Sequence, residues 1–226
     1  MDLSDPMRAV LPTLDGPVLR VLAGTTRPLT GREVHRLAGV GSEAGVRRVL
    51  HRLVDQGLVT VSVAGPSRLY VGNRHHLAWS SVETLVRLRE RFWDRLASLF
   101  ARWDPQPVLA GVFGSAARET GTVDSDIDLL LVRPDSLPPE PLADSDDERV
   151  TAWIAQVNDV RDAVRSMTGN PVQIFEVSDR EFRDLVQSDD PLADSWRREL
   201  RILAGESPWQ RIRSGRVGSS ASEAGQ

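Results

Sequence analysis

The chain of 226 residues contains no cysteine and no lysine, and all 28 of its basic residues are arginine. Without cysteine, disulfides and thiolate metal centres are excluded. Without lysine there is no amine side chain for covalent chemistry. The exclusive use of arginine is read as coding bias rather than function. Long apolar runs are missing as well: none reaches the roughly 18 residues that mark a membrane-spanning helix. The opening Met1-Asp2-Leu3-Ser4-Asp5-Pro6 has the character of neither a secretory signal nor a transit peptide. A soluble cytoplasmic protein with no membrane partner is the expectation.

What is present is charge of both signs, unevenly distributed. The net charge is −4. Residues 1–78 carry ten arginines against six acids, hence +4, and residues 79–226 carry eighteen arginines against twenty-six acids, hence −8. Such a split points to two domains with different partners. All four histidines, His35, His51, His75 and His76, lie in the basic part, and no acid or thiolate accompanies them at metal-ligand spacing.

The basic part reads as short helices followed by a hairpin. Asp15 to Leu22 has a helical pattern. Thr30 and Glu33 form a capping box in front of Val34, Leu37 and Ala38. Ser42 caps a third helix with the apolar stripe Val46, Val49, Leu50 and Leu53, and Gly57 ends it. Leu58 to Val63, a turn at 64–67 and Arg68 to Val71 then predict a β-hairpin. Three helices and a two-stranded wing resemble the winged helix-turn-helix domains of bacterial transcription regulators. The resemblance implies duplex DNA as partner, with Arg47, Arg48, His51 and Arg52 of the third helix facing the major groove and Arg68 of the wing facing phosphate. The same pattern also occurs in domains that contact protein or form dimers, so a homodimer or a partner protein is the other reading.

Residues 79–103 predict one long connecting helix, with Val82, Leu85, Val86, Trp93, Leu96, Leu99, Phe100 and Trp103 at three- and four-residue spacing. Trp93 and Trp103 are assigned to the core. Residues 104–213 then hold the most informative pattern in the chain. Val108 to Phe113 and Ile127 to Val132 are buried-strand patterns. Gly114-Ser115 follows the first, at a strand end where backbone N–H groups meet anions. Asp126 and Asp128 flank Ile127 at the start of the second, two residues apart and so on one face. Hard carboxylate oxygens in that arrangement suit Mg²⁺ shared with substrate phosphates.

Gly114-Ser115, Ala117-Arg118, Ser125 and Asp126-Ile127-Asp128-Leu129-Leu130, at this interval, resemble the signature of the minimal nucleotidyltransferases of the DNA polymerase β superfamily. The resemblance extends over roughly residues 80–205. It implies an α/β (α+β) fold with a small mixed sheet flanked by helices. It also implies a nucleoside triphosphate substrate, Mg²⁺ or Mn²⁺ held by Asp126 and Asp128, and terminal phosphates held by Gly114, Ser115 and Arg118. An acceptor oxygen would attack the α-phosphorus and expel pyrophosphate. Two features depart from the pattern. Glu119 stands where many relatives carry glycine after the Ala-Arg pair. The third carboxylate of the superfamily aligns with Gln173 in the strand from Val172 to Val177, and an amide neither supplies the charge nor accepts a proton readily. Glu176, three residues on, is the alternative third acid if a bulge turns it to the site.

Residues 134–148 are acidic and proline-rich, an expected exposed loop. Val150 to Met167 predict a helix that crosses over to the strand at Val172. Ser178 and Glu181 form a second capping box, and a final helix is expected through Trp196 to Leu203. Residues 214–226 have the composition of a disordered tail. Three function classes follow. The first is a nucleotidyltransferase tethered to a DNA-binding domain. The second is a transcription regulator whose degenerate nucleotidyltransferase domain senses nucleotide. The third is an antitoxin-like interaction protein.

Overall fold

A computed structural model describes residues 1–138, 147–188 and 190–206. The chain divides into two compact units, one made of residues 4–91 with Asp2, the other of the chain from Phe92 on with Met1 and Leu3.

In the first unit, helices α1 (Asp15–Ala23), α2 (Gly31–Ala38) and α3 (Glu43–Asp55) precede a hairpin of β2 (Val59–Ala64) and β3 (Ser67–Gly72). A two-residue strand β1 (Leu29–Thr30) pairs antiparallel with β3, so the sheet order is β1-β3-β2. The helix boundaries follow from side chains. Thr30 and Glu33 complete the capping box of α2, and Ser42 Oγ accepts from Gly45 N–H at 3.1 Å to cap α3. Val18, Leu22, Val34, Val46, Leu50 and Tyr70 form the core with Trp79 of α4 (Trp79–Val86). Gly72 is required by that tryptophan: a Cβ there would lie 2.0 Å from its ring.

The single helix expected over 79–103 is two helices, α4 and α5 (Leu88–Phe100), separated at Arg87. The reason is burial. Trp79 and Val82 belong to the core of the first unit, whereas Phe92, Trp93, Leu96 and Phe100 belong to that of the second. The apolar stripe is thus divided between two cores.

The second unit is built on a four-stranded sheet of order β6-β5-β4-β7. Strand β4 (Leu109–Phe113) runs antiparallel to β5 (Ile127–Arg133) and β7 (Arg201–Gly205), while β6 (Val172–Ser178) is parallel to β5. Helix α7 (Glu148–Thr168) makes the crossover that a parallel pair needs. Central β5 is buried on both faces, which is why it reads as a near-continuous apolar run. Ile127, Leu129 and Leu131 cluster with Phe92, Leu96, Trp153 and Val160 from α5 and α7. Leu130 and Val132 cluster with Phe182, Val186 and Trp196 of α8 (Asp179–Gln187) and α9 (Pro191–Glu199). Trp93 and Trp103 are buried in the first of these clusters.

The last expected helix is shorter than its pattern. It ends at Glu199, Leu200 turns extended, and residues 201–205 form β7 on the open edge of β4. An apolar stretch of four or five residues fits helix and strand alike, and the unpaired edge decides. In the segment 134–148, Leu137 is buried and its carbonyl accepts from the guanidinium of Arg133. Residues 139–146 of that segment, and the tail 214–226, lie outside the described residues. Among the described residues no helix is long and apolar enough to cross a membrane.

Candidate nucleotide site

The two halves of the sequence motif meet at Gly114. Phe113, the last residue of β4, pairs with Asp128 of β5, so the residue after the strand turns directly over that carboxylate. Gly114 has φ +69°, and a Cβ on it would lie 2.5 Å from Asp128 Oδ2. The left-handed backbone calls for glycine here, whereas the contact is with the end of a side chain that can turn away. The chain then makes a single turn of helix, α6 (Gly114–Ala117), and folds back so that the N–H groups of Thr120 and Gly121 donate to Ser115 O at 3.0 and 3.1 Å. Ser115 Oγ makes no hydrogen bond among the described residues. Glu119, the departure noted in the sequence, takes φ +59°, the conformation that makes glycine the easier residue there. Its carboxylate lies 3.8 Å from Arg201 Nη1.

Asp126 and Asp128 are brought together by a turn that Asn170 holds. Asn170 is fully buried, and its amide nitrogen reaches the carbonyls of Thr122, Val123 and Ser125 at 3.2, 3.3 and 2.9 Å. Ser125 Oγ accepts from Thr122 N–H at 2.9 Å within the same turn. Burial, together with the Asp126 carboxylate, pushes the Asp128 carboxyl above the usual range; Arg118 works against this and Glu199 adds to it. Two carboxylates that resist being charged together are a donor set suited to a divalent cation. Among the described residues no group of three or more His, Cys, Asp or Glu is gathered as a metal cage. The fit is to a cation held by two carboxylates and completed by substrate phosphates, as Mg²⁺ often is.

Gln173 lies across the β5–β6 ladder from Asp128, and its Nε2 is 3.4 Å from Asp126 Oδ2. Glu176 is not brought to the site. The β5–β6 register runs unbroken from Ile127↔Val172 to Arg133↔Ser178, so no bulge turns it, and alternation places it on the opposite face from Gln173. There Glu176 Oε1 accepts from Trp153 Nε1 at 3.0 Å and lies 3.4 Å from Arg133 Nε. The chemistry of the site is thus two carboxylates and an amide.

Arg118 follows α6 and pairs with Glu199 at the end of α9. The Glu199 carboxylate also accepts from Ser195 Oγ and, at 3.3 Å, from Gly114 N–H. Burial raises this carboxyl, but the hydrogen bonds from Ser195, Arg118 and Gly114 prevail and hold it below the usual range. Asn170, Ser195 and Glu199 belong to no motif. Only the Gly169-Asn170-Pro171 punctuation after α7 offered a signal for the first.

In the other unit, Arg47, Arg48, His51 and Arg52 are all exposed on α3, on the side away from buried Val46, Leu50 and Leu53, and Arg68 is exposed on β3. Arg52 pairs with Asp15, whereas Arg47 and Arg48 make no ion pair among the described residues.

The turn after β4 thus lies against the carboxylate of Asp128, with Asp126 beside it and Gln173 across the ladder. Residues 89–180 match the family model of the nucleotidyltransferase domain. No curated protein matches the chain. Among solved structures, human N-acetylserotonin methyltransferase in complex with SAM matches at 20% identity with a TM-score of 0.27 over 44% of this chain, which spans 30% of that one. A toxin-antitoxin with AMP-PNP matches at 16% identity with a TM-score of 0.33, over 57% of this chain and 86% of that one.

Proposed function

We propose that the chain transfers a nucleoside monophosphate from a nucleoside triphosphate to an acceptor oxygen, in a metal-dependent reaction. The observation that supports this is the approach of Gly114, in the left-handed conformation, to the Asp128 carboxylate, which brings the turn after β4 against the Asp126–Asp128 pair. Asp126 and Asp128 would hold Mg²⁺ or Mn²⁺, which supplies charge stabilisation to an in-line displacement at the α-phosphorus. The Gly114 N–H, Ser115 Oγ and Arg118 bind and orient the β- and γ-phosphates, so that pyrophosphate leaves with the bonding electron pair. The buried Asn170 keeps Asp126 in place relative to Asp128. Incubation with labelled nucleoside triphosphates and Mg²⁺ or Mn²⁺, with Asp126→Asn and Asp128→Asn as controls, tests the proposal. Labelled product from the parent and none from the variants supports it.

Gln173 favours a second reading, in which the domain binds nucleotide without turning it over and acts as a sensor. Nucleotide binding with no product from any acceptor pool would support that reading.

For the first unit we propose a winged helix that binds duplex DNA, with α3 as the helix that enters the groove. The support is the exposed face of α3 in a +4 segment, on which Arg47 and Arg48 make no ion pair among the described residues. Arg52 is committed to Asp15 and contributes less.

A further inference from the structure

The donors assigned above to phosphate already have an occupant, and it is a carboxylate of the same chain. Glu199 is the last residue of α9, and its side chain is 14% exposed. It takes the N–H of Gly114 and the guanidinium of Arg118, and Ser195 Oγ fixes it from within α9. These are charge-assisted bonds of the kind a phosphoryl oxygen would make, with the same planar cation and the same backbone amide. The Glu199 charge is felt at the carboxylate pair, since Glu199 is among the groups that raise the Asp128 carboxyl. A nearby cation and a backbone donor compensate for this, and both are needed by an incoming triphosphate.

We propose that Glu199 is an internal stand-in for the terminal phosphate, exchanged for it when a triphosphate binds; the inference rests on the nucleotidyltransferase reading of the site. A triphosphate and the Glu199 carboxylate cannot both take the single Gly114 N–H, and as like charges they repel at that separation. Binding therefore releases Glu199 from Arg118 and Gly114 while Arg118 passes to phosphate. No proton or covalent bond is involved. The consequence is specificity: an adenosine or a monophosphate that does not reach the cradle leaves Glu199 in place, and only a ligand with a strong terminal anion displaces it.

The sign of one substitution separates this from a purely supporting role. Glu199→Gln keeps an oxygen for the Gly114 N–H and removes the competing charge. Binding of inorganic tripolyphosphate to the full chain, measured by calorimetry with chelator present, is expected to tighten by about tenfold, a modest value for removing a like charge beside an incoming anion at a half-exposed site. Ser195→Ala, which loosens Glu199 without touching the cradle, is expected to change affinity in the same direction by less, and it carries the test if thermal melts show Glu199→Gln to be misfolded. Arg118→Ala should weaken binding in every background. Weaker or unchanged binding by Glu199→Gln and by Ser195→Ala, with a parent protein that binds Mg²⁺-nucleotide through Asp128, overturns the stand-in and leaves the nucleotidyltransferase reading intact. If neither the parent nor any folded variant binds tripolyphosphate or nucleotide, with or without Mg²⁺, both fall.

Discussion

Gln173 stands directly across the parallel ladder from Asp128, on the same face of the sheet, and turns its amide nitrogen toward Asp126. The position that would complete a trio of acids is therefore inside the site and filled by a neutral group. In the proposed reaction a cation held by two carboxylates instead of three would be bound less tightly, and the acceptor's proton would find no carboxylate on this face of β6 to receive it. Gln173→Asp is expected to raise transfer by about tenfold to a hundredfold, the lower range of what a positioned base contributes. Initial rates with saturating nucleotide and a Mg²⁺ titration check this, and an unchanged rate with unchanged metal dependence counts against it. Glu176→Gln should leave the rate alone and show its effect in stability, since Glu176 is bound to Trp153 and Arg133 on the other face.

Asp128→Asn is expected to remove metal-dependent nucleotide binding while stabilising the fold. The sign follows from the raised carboxyl. The folded state favours the protonated acid, so the parent loses stability as pH rises through that raised value. Asparagine has no such loss. The gain in melting temperature, on the order of 2–4 °C if the difference is about 1 kcal/mol in a chain of this size, should be present at pH 8 and disappear as pH falls below the ordinary aspartate range. Scanning calorimetry at several pH values measures it, and a melting temperature below the parent's at pH 8 contradicts the placement.

The sheet and the motif were legible because local pattern and local need coincide. The run Ile127 to Val132 is apolar but for Asp128 because β5 is covered twice, and Gly114 is glycine because of its positive φ. The capping residues Thr30, Ser42 and Ser178 stand where sequence placed them because a cap is a contact within four residues. What the sequence concealed depends on distant partners. Nothing local distinguishes α4 from α5, since the break at Arg87 arises from two cores. Nothing local ends α9 at Glu199, since the β4 edge recruits Arg201 to Gly205. Asn170 and Glu199 reach across 45 and 85 residues to their partners, and no spacing rule covers such separations.

Asn170→Ala should act on both stability and transfer. The substitution removes the amide donor shared by three carbonyls of the 122–125 turn, of which that of Thr122 keeps the Ser125 N–H, and opens a buried space, for an expected cost of about 2–4 kcal/mol. In the fraction that stays folded, Asp126 loses its fixed position relative to Asp128, so kcat should fall while tripolyphosphate binding at the Gly114 cradle in chelator is retained. Urea unfolding and the split between these two readouts check the claim. Loss of tripolyphosphate binding in folded Asn170→Ala protein would show that the turn supports the cradle as well.

The DNA proposal makes the most general prediction, because it concerns charge rather than sequence. Arginines that neutralise phosphates release condensed counterions, so affinity should fall linearly on logarithmic axes as salt rises. Arg47 and Arg48 have no acidic partner among the described residues, and each is expected to account for about one unit of that slope if it meets a phosphate. Arg52 must first leave Asp15, so Arg52→Ala should change the slope less than Arg47→Ala or Arg48→Ala. An Asp15→Asn variant, which frees Arg52, should bind more tightly than the parent. Anisotropy titrations of short duplexes between low and moderate salt measure the parent and all four variants. No binding to any duplex at low salt, or equal slopes in parent and variants, would turn the interpretation of this unit toward a protein contact.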